Sequence, residues 1–326
     1  MKSSDLRFLC GFYLVALLVT LALGSSLAAQ PTYKDILTLP VSGDRIVSAV
    51  AVTVDEATGE IFVCDERGNR ILIFDREGLF SFEIAGGENF SAPKDLAVDR
   101  DGFLFLLTAR SGARGWVLTL DFDGLPIGEF QLSGLPPQLP PPILESIAIS
   151  PDGARLATLD GRNNMLWISD RSGRIEASVD LTSDLTDAEL EDLTANKVDI
   201  YGDKILAAMT SLAQVWCFEF DGTPCGRVGK RGGGPCGLLF PTAAALEASG
   251  NYLMIDQQRM VVLRWDPKTD ACIGEYIGPG DAPGYLYYPF DLFLDSAGQL
   301  YVAQSYRGKV QVYAGLSPAP SGPAAD

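Results

Sequence analysis

The chain of 326 residues contains no histidine. That absence removes Ser-His-Asp and Cys-His nucleophilic mechanisms, histidine-ligated zinc and histidine-ligated haem. No Cys-x-x-Cys-His segment is present, and the spacing of Cys217, Cys225, Cys236 and Cys272 does not suit a zinc knuckle. Ser-x-x-Lys and Gly-x-Ser-x-Gly nucleophile patterns have no convincing setting either. What remains is oxygen and guanidinium chemistry. Asp95, Glu145, Asn196 and Asp291 are hard oxygen donors of the kind calcium takes. Arg67, Arg110, Arg114, Arg162, Arg259 and Arg307 supply planar forks that grip carboxylates or sulfates. Asp65, Asp160 and Asp256 form a third set, which reads first as turn caps because Asp bonds readily to nearby backbone amides.

These residues must be positioned by a repeat. A turn glycine recurs as Gly59, Gly102, Gly153, Gly202, Gly250 and Gly298. Around each, an apolar run leads into the turn, a second follows, and a polar loop precedes a third. The third runs close with Asp75, Asp121, Asp170, Asp221 and Asp266. Runs of β-branched and aromatic residues between turn clusters are strands. Each unit is thus a four-stranded antiparallel meander, and six of them predict an all-β, six-bladed β-propeller. The sixth unit offers only three strands. Tyr33–Leu39, ahead of the first unit, is the spare strand expected to pair with Lys309–Tyr313 and close the ring. Helical patterning is confined to Thr186–Leu193, where Thr186 and Glu189 make a capping box.

The pattern resembles the NHL-repeat family of six-bladed propellers. The resemblance rests on Asp65-Glu-Arg-Gly-Asn-Arg-Ile-Leu-Ile-Phe and on the glycine-rich stretches Gly232–Pro241 and Gly278–Pro289. It covers roughly residues 33–314 and implies the fold; such scaffolds host unrelated functions. Propeller enzymes that depend on histidine, such as the amidating lyases and paraoxonase-like lactonases, are not matched. With first strands lining a channel, Asp95, Glu145, Asn196 and Asp291 lie near its mouth. In residue types they resemble the Glu/Asn/Asn/Asp metal site of gluconolactonase-type propellers.

In such blades the first-to-second and third-to-fourth turns share one face. Here those turns are short and uniform. The opposite face gathers the long, varied segments: Gly134–Pro142, Thr182–Asn196 and the glycine-rich links. It also gathers the arginines, joined by Lys230 and Arg231. Loops on a rigid scaffold are where binding residues concentrate, so function is expected there. The alternative is surface arginine paired with neighbouring Asp, which contributes little. Trp116, Trp167, Trp216 and Trp265 recur in third strands and read as packing residues.

Lys2 and Arg7, the apolar stretch Phe8–Gly24 and Ser26-Leu-Ala-Ala read as a signal peptide over residues 1–29. An uncleaved anchor is the competing reading, and either places the body outside the cytoplasm, periplasmic or extracellular. The propeller then spans 30–314, and 315–326 has the composition of a disordered tail. The net charge of −17 opposes binding to nucleic acid or anionic membrane. Five cysteines remain after the signal. Cys64 reads as a buried thiol. Cys217 and Cys225 flank a turn at Asp221-Gly222 and could face each other, while the pairing of the four is left open.

The sequence reading is a non-catalytic, monomeric, exported scaffold without a cofactor, binding a protein, peptide or glycan. The alternative is a calcium-dependent hydrolase or lactonase of the gluconolactonase kind.

Overall fold

The computed structural model describes residues 30–40, 43–110 and 113–320. The expected signal peptide and residues 321–326 lie outside the described residues. The strands form six four-stranded antiparallel sheets, each a meander. The innermost strands are β2 (Ala49–Val54), β6 (Ser91–Val98), β10 (Leu144–Ile149), β14 (Lys197–Tyr201), β18 (Pro241–Leu246) and β22 (Pro289–Leu294). They touch in cyclic order around a central channel. The protein is a six-bladed β-propeller.

The ring closes at its termini. β1 (Thr32–Ile36) pairs with β24 (Lys309–Ala314) in the register Tyr33↔Tyr313 and Ile36↔Gln311. β24 therefore has a partner on both sides, as the strand count required.

Local chemistry explains the corners. The six repeat glycines all have positive φ, from 63° at Gly202 to 86° at Gly250. A side chain with a Cβ is disfavoured there, which is why the spacing of glycines exposes the repeat. The Asp closing each third strand caps the next turn. Asp75 Oδ1 accepts from the amides of Glu77 and Leu79, and Asp121 and Asp170 repeat the arrangement. Packing between blades is apolar. Trp167, Trp216 and Trp265 are buried in it, while Cys64 is a buried thiol whose titration burial pushes up.

Two disulfides brace the fourth and fifth blades. Cys217 bonds Cys225 across the hairpin, and Cys236 in the link bonds Cys272 on the outer strand of blade 5. The capping box forms as expected: the Thr186 amide donates to Glu189 Oε2, opening the one-turn helix α1 (Asp187–Leu190). Among the described residues no helix is long and apolar enough to cross a membrane.

Residues 315–320 differ from the expected disordered tail. Leu316 is buried, the Ala248 amide donates to Pro318 O at 2.7 Å, and the Ala319 amide donates to Asp295 O at 3.0 Å. The segment is fastened over the short-turn face of blades 5 and 6. Its proline and alanine content suggested disorder, but two backbone bonds and one apolar anchor hold it.

Candidate functional site

The four expected oxygen donors do come together. Asp95, Glu145, Asn196 and Asp291 surround one narrow gap at the loop-face mouth of the channel. Two lysines share it. Lys197 reaches in from β14, with Nζ 2.6 Å from Asp95 Oδ1 and 3.2 Å from Asp291 Oδ2. Lys94 pairs with Glu145, and Asn196 Nδ2 donates to Thr242 O.

Further bonds lock this arrangement. Asp95 Oδ2 accepts from Ser146 Oγ and the Ile147 amide; Asp291 Oδ2 accepts from the Val52 amide. Ser146 Oγ in turn accepts from the Val198 amide. Inner strands of blades 1, 2, 3, 4 and 6 are thereby tied through one buried network. A fully satisfied buried network of this kind fixes a single geometry.

Calcium would need several oxygens at about 2.3–2.6 Å around a cleared point. Between Asp95 and Asp291 that point is held by the Lys197 ammonium, which already offsets part of their charge. Among the described residues no group of three His, Cys, Asp or Glu side chains is set to hold a metal. The donor set as arranged does not fit a calcium centre.

β14 carries more than the sequence reading drew from it. Lys197, Asp199 and Tyr201 alternate along the strand and share its channel side. Asp199 lies 3.9 Å from Lys197 Nζ, and among the described residues none donates a hydrogen bond to its carboxylate. Burial, set against the nearby Asp291 and Asp95, raises the Asp199 carboxyl well above the usual range. Asp291 is pushed up to about 6 by the same desolvation, although Lys197 opposes it. The buried Lys197 stays charged because desolvation, which would lower it, is outweighed chiefly by Asp291 and Asp95. The polar-apolar alternation Lys-Val-Asp-Ile-Tyr was the available signal for an inward polar row.

On the loop face the arginines divide. Arg67 is exposed. Arg162 is exposed and donates to Pro141 O at 2.8 Å. Arg259 is largely buried, bonded to Gly237 O and to Glu275. The side chains of Arg110 and Arg114 lie outside the described residues. Arg307 is half exposed and lies over two rings, 5.1 Å from the centroid of Tyr287 and 5.8 Å from that of Tyr306. The Asp set behaves as turn caps. Asp65 Oδ1 accepts from the amides of Val47, Ser48 and Gly68, and Asp160 and Asp256 likewise join a loop to the incoming link.

The tyrosines around Arg307 were not singled out by sequence. Tyr287, Tyr288 and Tyr306 stand 5.2–5.6 Å apart by ring centroids. Tyr306 is 62% exposed, Tyr285 52% and Tyr288 42%. Tyr288 holds a left-handed backbone, φ 49°, costly for a bulky side chain. Two segments build the cluster: the link before β22, and the loop between β23 (Leu300–Gln304) and β24. The Tyr287 amide donates to Gln304 Oε1, and Lys309 Nζ bonds Asp281, fixing one segment against the other. Gly308 sets the loop's height, because a Cβ there would meet Ile46 O at 1.9 Å.

No protein-family model matches the chain, and no curated protein matches its sequence. A solved structure is similar: a structural-genomics protein of unknown function from Bacteroides thetaiotaomicron. It is 12% identical, with a TM-score of 0.60, over 87% of this chain and 73% of that one. At that identity the likeness supports the propeller fold alone. A propeller of this kind suits a binding or scaffold role in general.

Proposed function

We propose that this chain is an exported, non-catalytic binding protein whose loop-rich face takes a protein, peptide or glycan partner. The carrying observation is the Tyr287–Tyr288–Tyr306 cluster, with Tyr288 and Tyr306 exposed and Arg307 lying over the Tyr287 and Tyr306 rings. Tyrosine and arginine dominate the anchor residues of interfaces, because a rigid ring buries area at little entropic cost. A contiguous exposed aromatic patch on an otherwise acidic surface marks an interaction site. The strained Tyr288 backbone supports the same reading, since strain of this kind collects at ligand clamps. The two disulfides fit an oxidising compartment, in keeping with the signal-like N-terminus. The NHL-type resemblance supports the scaffold and leaves the partner to be defined by the patch.

The test is a peptide-display library and a glycan array probed with the purified protein, with Tyr306→Ala and Arg307→Ala as controls. Both substitutions are at exposed positions and should leave melting unchanged. Ligands selected by the wild type should lose at least about tenfold in affinity on either variant. Selected ligands that bind both variants unchanged would contradict the reading.

A further inference from the structure

Beyond the Lys197 network, on the short-turn side, the channel widens into a chamber of about 410 Å³. Its walls are largely apolar, from Leu96, Ile147, Ile149 and Phe293 among others, and Lys197 and Asp199 line it as well. Asp55 and Glu56 stand at its rim, and Ala319 and Pro320 of the fastened tail form part of the wall. That volume is within the usual range for a small-molecule site.

We propose that this chamber binds an organic cation: an apolar body bearing a primary or secondary ammonium group that pairs with Asp199.

Three observations converge. First, Asp199 is nine-tenths buried, lines the chamber and receives no hydrogen bond from the described residues, with Lys197 Nζ 3.9 Å away. Its neighbours Asp95 and Asp291 have taken the backbone amides, the Ser146 hydroxyl and the closer approach of Lys197. A buried carboxyl in that position is completed by a ligand that supplies donors. Second, the charge is unbalanced. Asp95, Asp199 and Asp291 face one ammonium, so the group stays negative even with Asp199 protonated. The rim adds Asp55 and Glu56, the latter bonded to Ser296, against the single guanidinium of Arg100. Anions are repelled and cations are drawn in. Third, two aromatic residues line the wall: the Tyr201 and Phe293 rings are 6.1 Å apart. Such rings attract a desolvated ammonium through their quadrupoles.

Binding carries a proton signature. Desolvation raises the Asp199 carboxyl and so favours its protonated form, in a setting that Lys197 from its own strand, Asp95 from β6 and Asp291 from β22 define. An arriving ammonium stabilises the carboxylate, so the proton leaves for solvent as the ion pair forms. The site is on the opposite face from the tyrosine cluster and does not depend on the reading given above.

The experiment titrates the purified protein calorimetrically with 2-phenylethylamine, 2-phenylethanol and 3-phenylpropionate. The amine should bind at one site, at least about tenfold tighter than the alcohol, and the carboxylate should not compete. Repeating the amine titration in buffers of different ionisation enthalpy should show proton release. Asp199→Asn should cost the amine about tenfold or more while leaving the alcohol unchanged. Phe293→Leu, which keeps the wall apolar, should weaken the amine selectively. The proposal is overturned if the alcohol binds as tightly as the amine, or if no amine heat appears at about 10 mM. It is equally overturned if Asp199→Asn, still folded by melting, binds the amine as the wild type does.

Discussion

Lys197 Nζ stands 2.6 Å from Asp95 Oδ1, joining residues 102 positions apart and blades two steps removed around the ring. Both groups are buried, so the pair differs in kind from the surface ion pairs that decorate the rim. An exposed pair is worth about 0–1 kcal/mol, whereas removing one partner of a buried pair costs about 3–5 kcal/mol.

Lys197→Met should therefore destabilise the propeller by about 3–5 kcal/mol near neutral pH, read by denaturant unfolding. It strands Asp95 and Asp291 without a counter-ion. The loss should shrink on acidification, as Asp291 takes up a proton; burial already pushes it up to about 6 with Lys197 opposing, and removing Lys197 raises it further. A loss independent of pH would mean that the methionine perturbs packing rather than charge.

Asp199 gives a prediction of opposite sense. Its folded carboxyl titrates above its unfolded value, because burial disfavours the charge. The folded state then holds a proton that the unfolded chain releases, so this group lowers stability as pH rises from the ordinary carboxylate range. The slope is about 1.4 kcal/mol per pH unit until the folded group itself ionises. Asp199→Asn removes that dependence. Its stability relative to wild type should improve as pH is raised above the ordinary carboxylate range. A constant difference above that range would show that Asp199 is not raised.

Calcium discriminates the two readings of the channel donors. With the Lys197 ammonium between Asp95 and Asp291, millimolar calcium should leave the melting temperature of the wild type unchanged. A calcium-induced rise would return weight to a metal-dependent enzyme, because a ligand that binds only the native state stabilises it.

The seam offers a further test. Deleting residues 32–36 would leave β24 with an unpaired edge and remove the Tyr33 ring, whose centroid lies 6.1 Å from that of Tyr313. Melting should fall by about 4 °C or more, with greater aggregation. Unchanged melting would mean that the closure carries no stability.

The fold was legible because its determinants are local. A glycine at positive φ followed by an Asp-capped turn leaves the same mark six times, and the missing strand could be found by counting. The channel donors were legible as residue types at strand starts. What sequence could not supply was reach. Lys197 is an ordinary lysine until blade 4 is placed opposite blades 2 and 6. Tyr288 and Tyr306 become one patch only when a link and a loop of blade 6 fold against each other. The arginine ring failed to be uniform for a similar reason: Arg259 is consumed by Gly237 O and Glu275, whereas Arg307 lies on rings at the surface. The short-turn face looked plain because its cavity lies beneath the turns, walled by strand residues.

A partner on the tyrosine-bearing loop face should be visible by hydroxyl-radical footprinting with a ligand selected on the wild-type protein. Protection should fall on Tyr285, Tyr288 and Tyr306, with Phe82 and Phe122 away from that patch unchanged. Full reactivity of the three tyrosines in the saturated complex would contradict it.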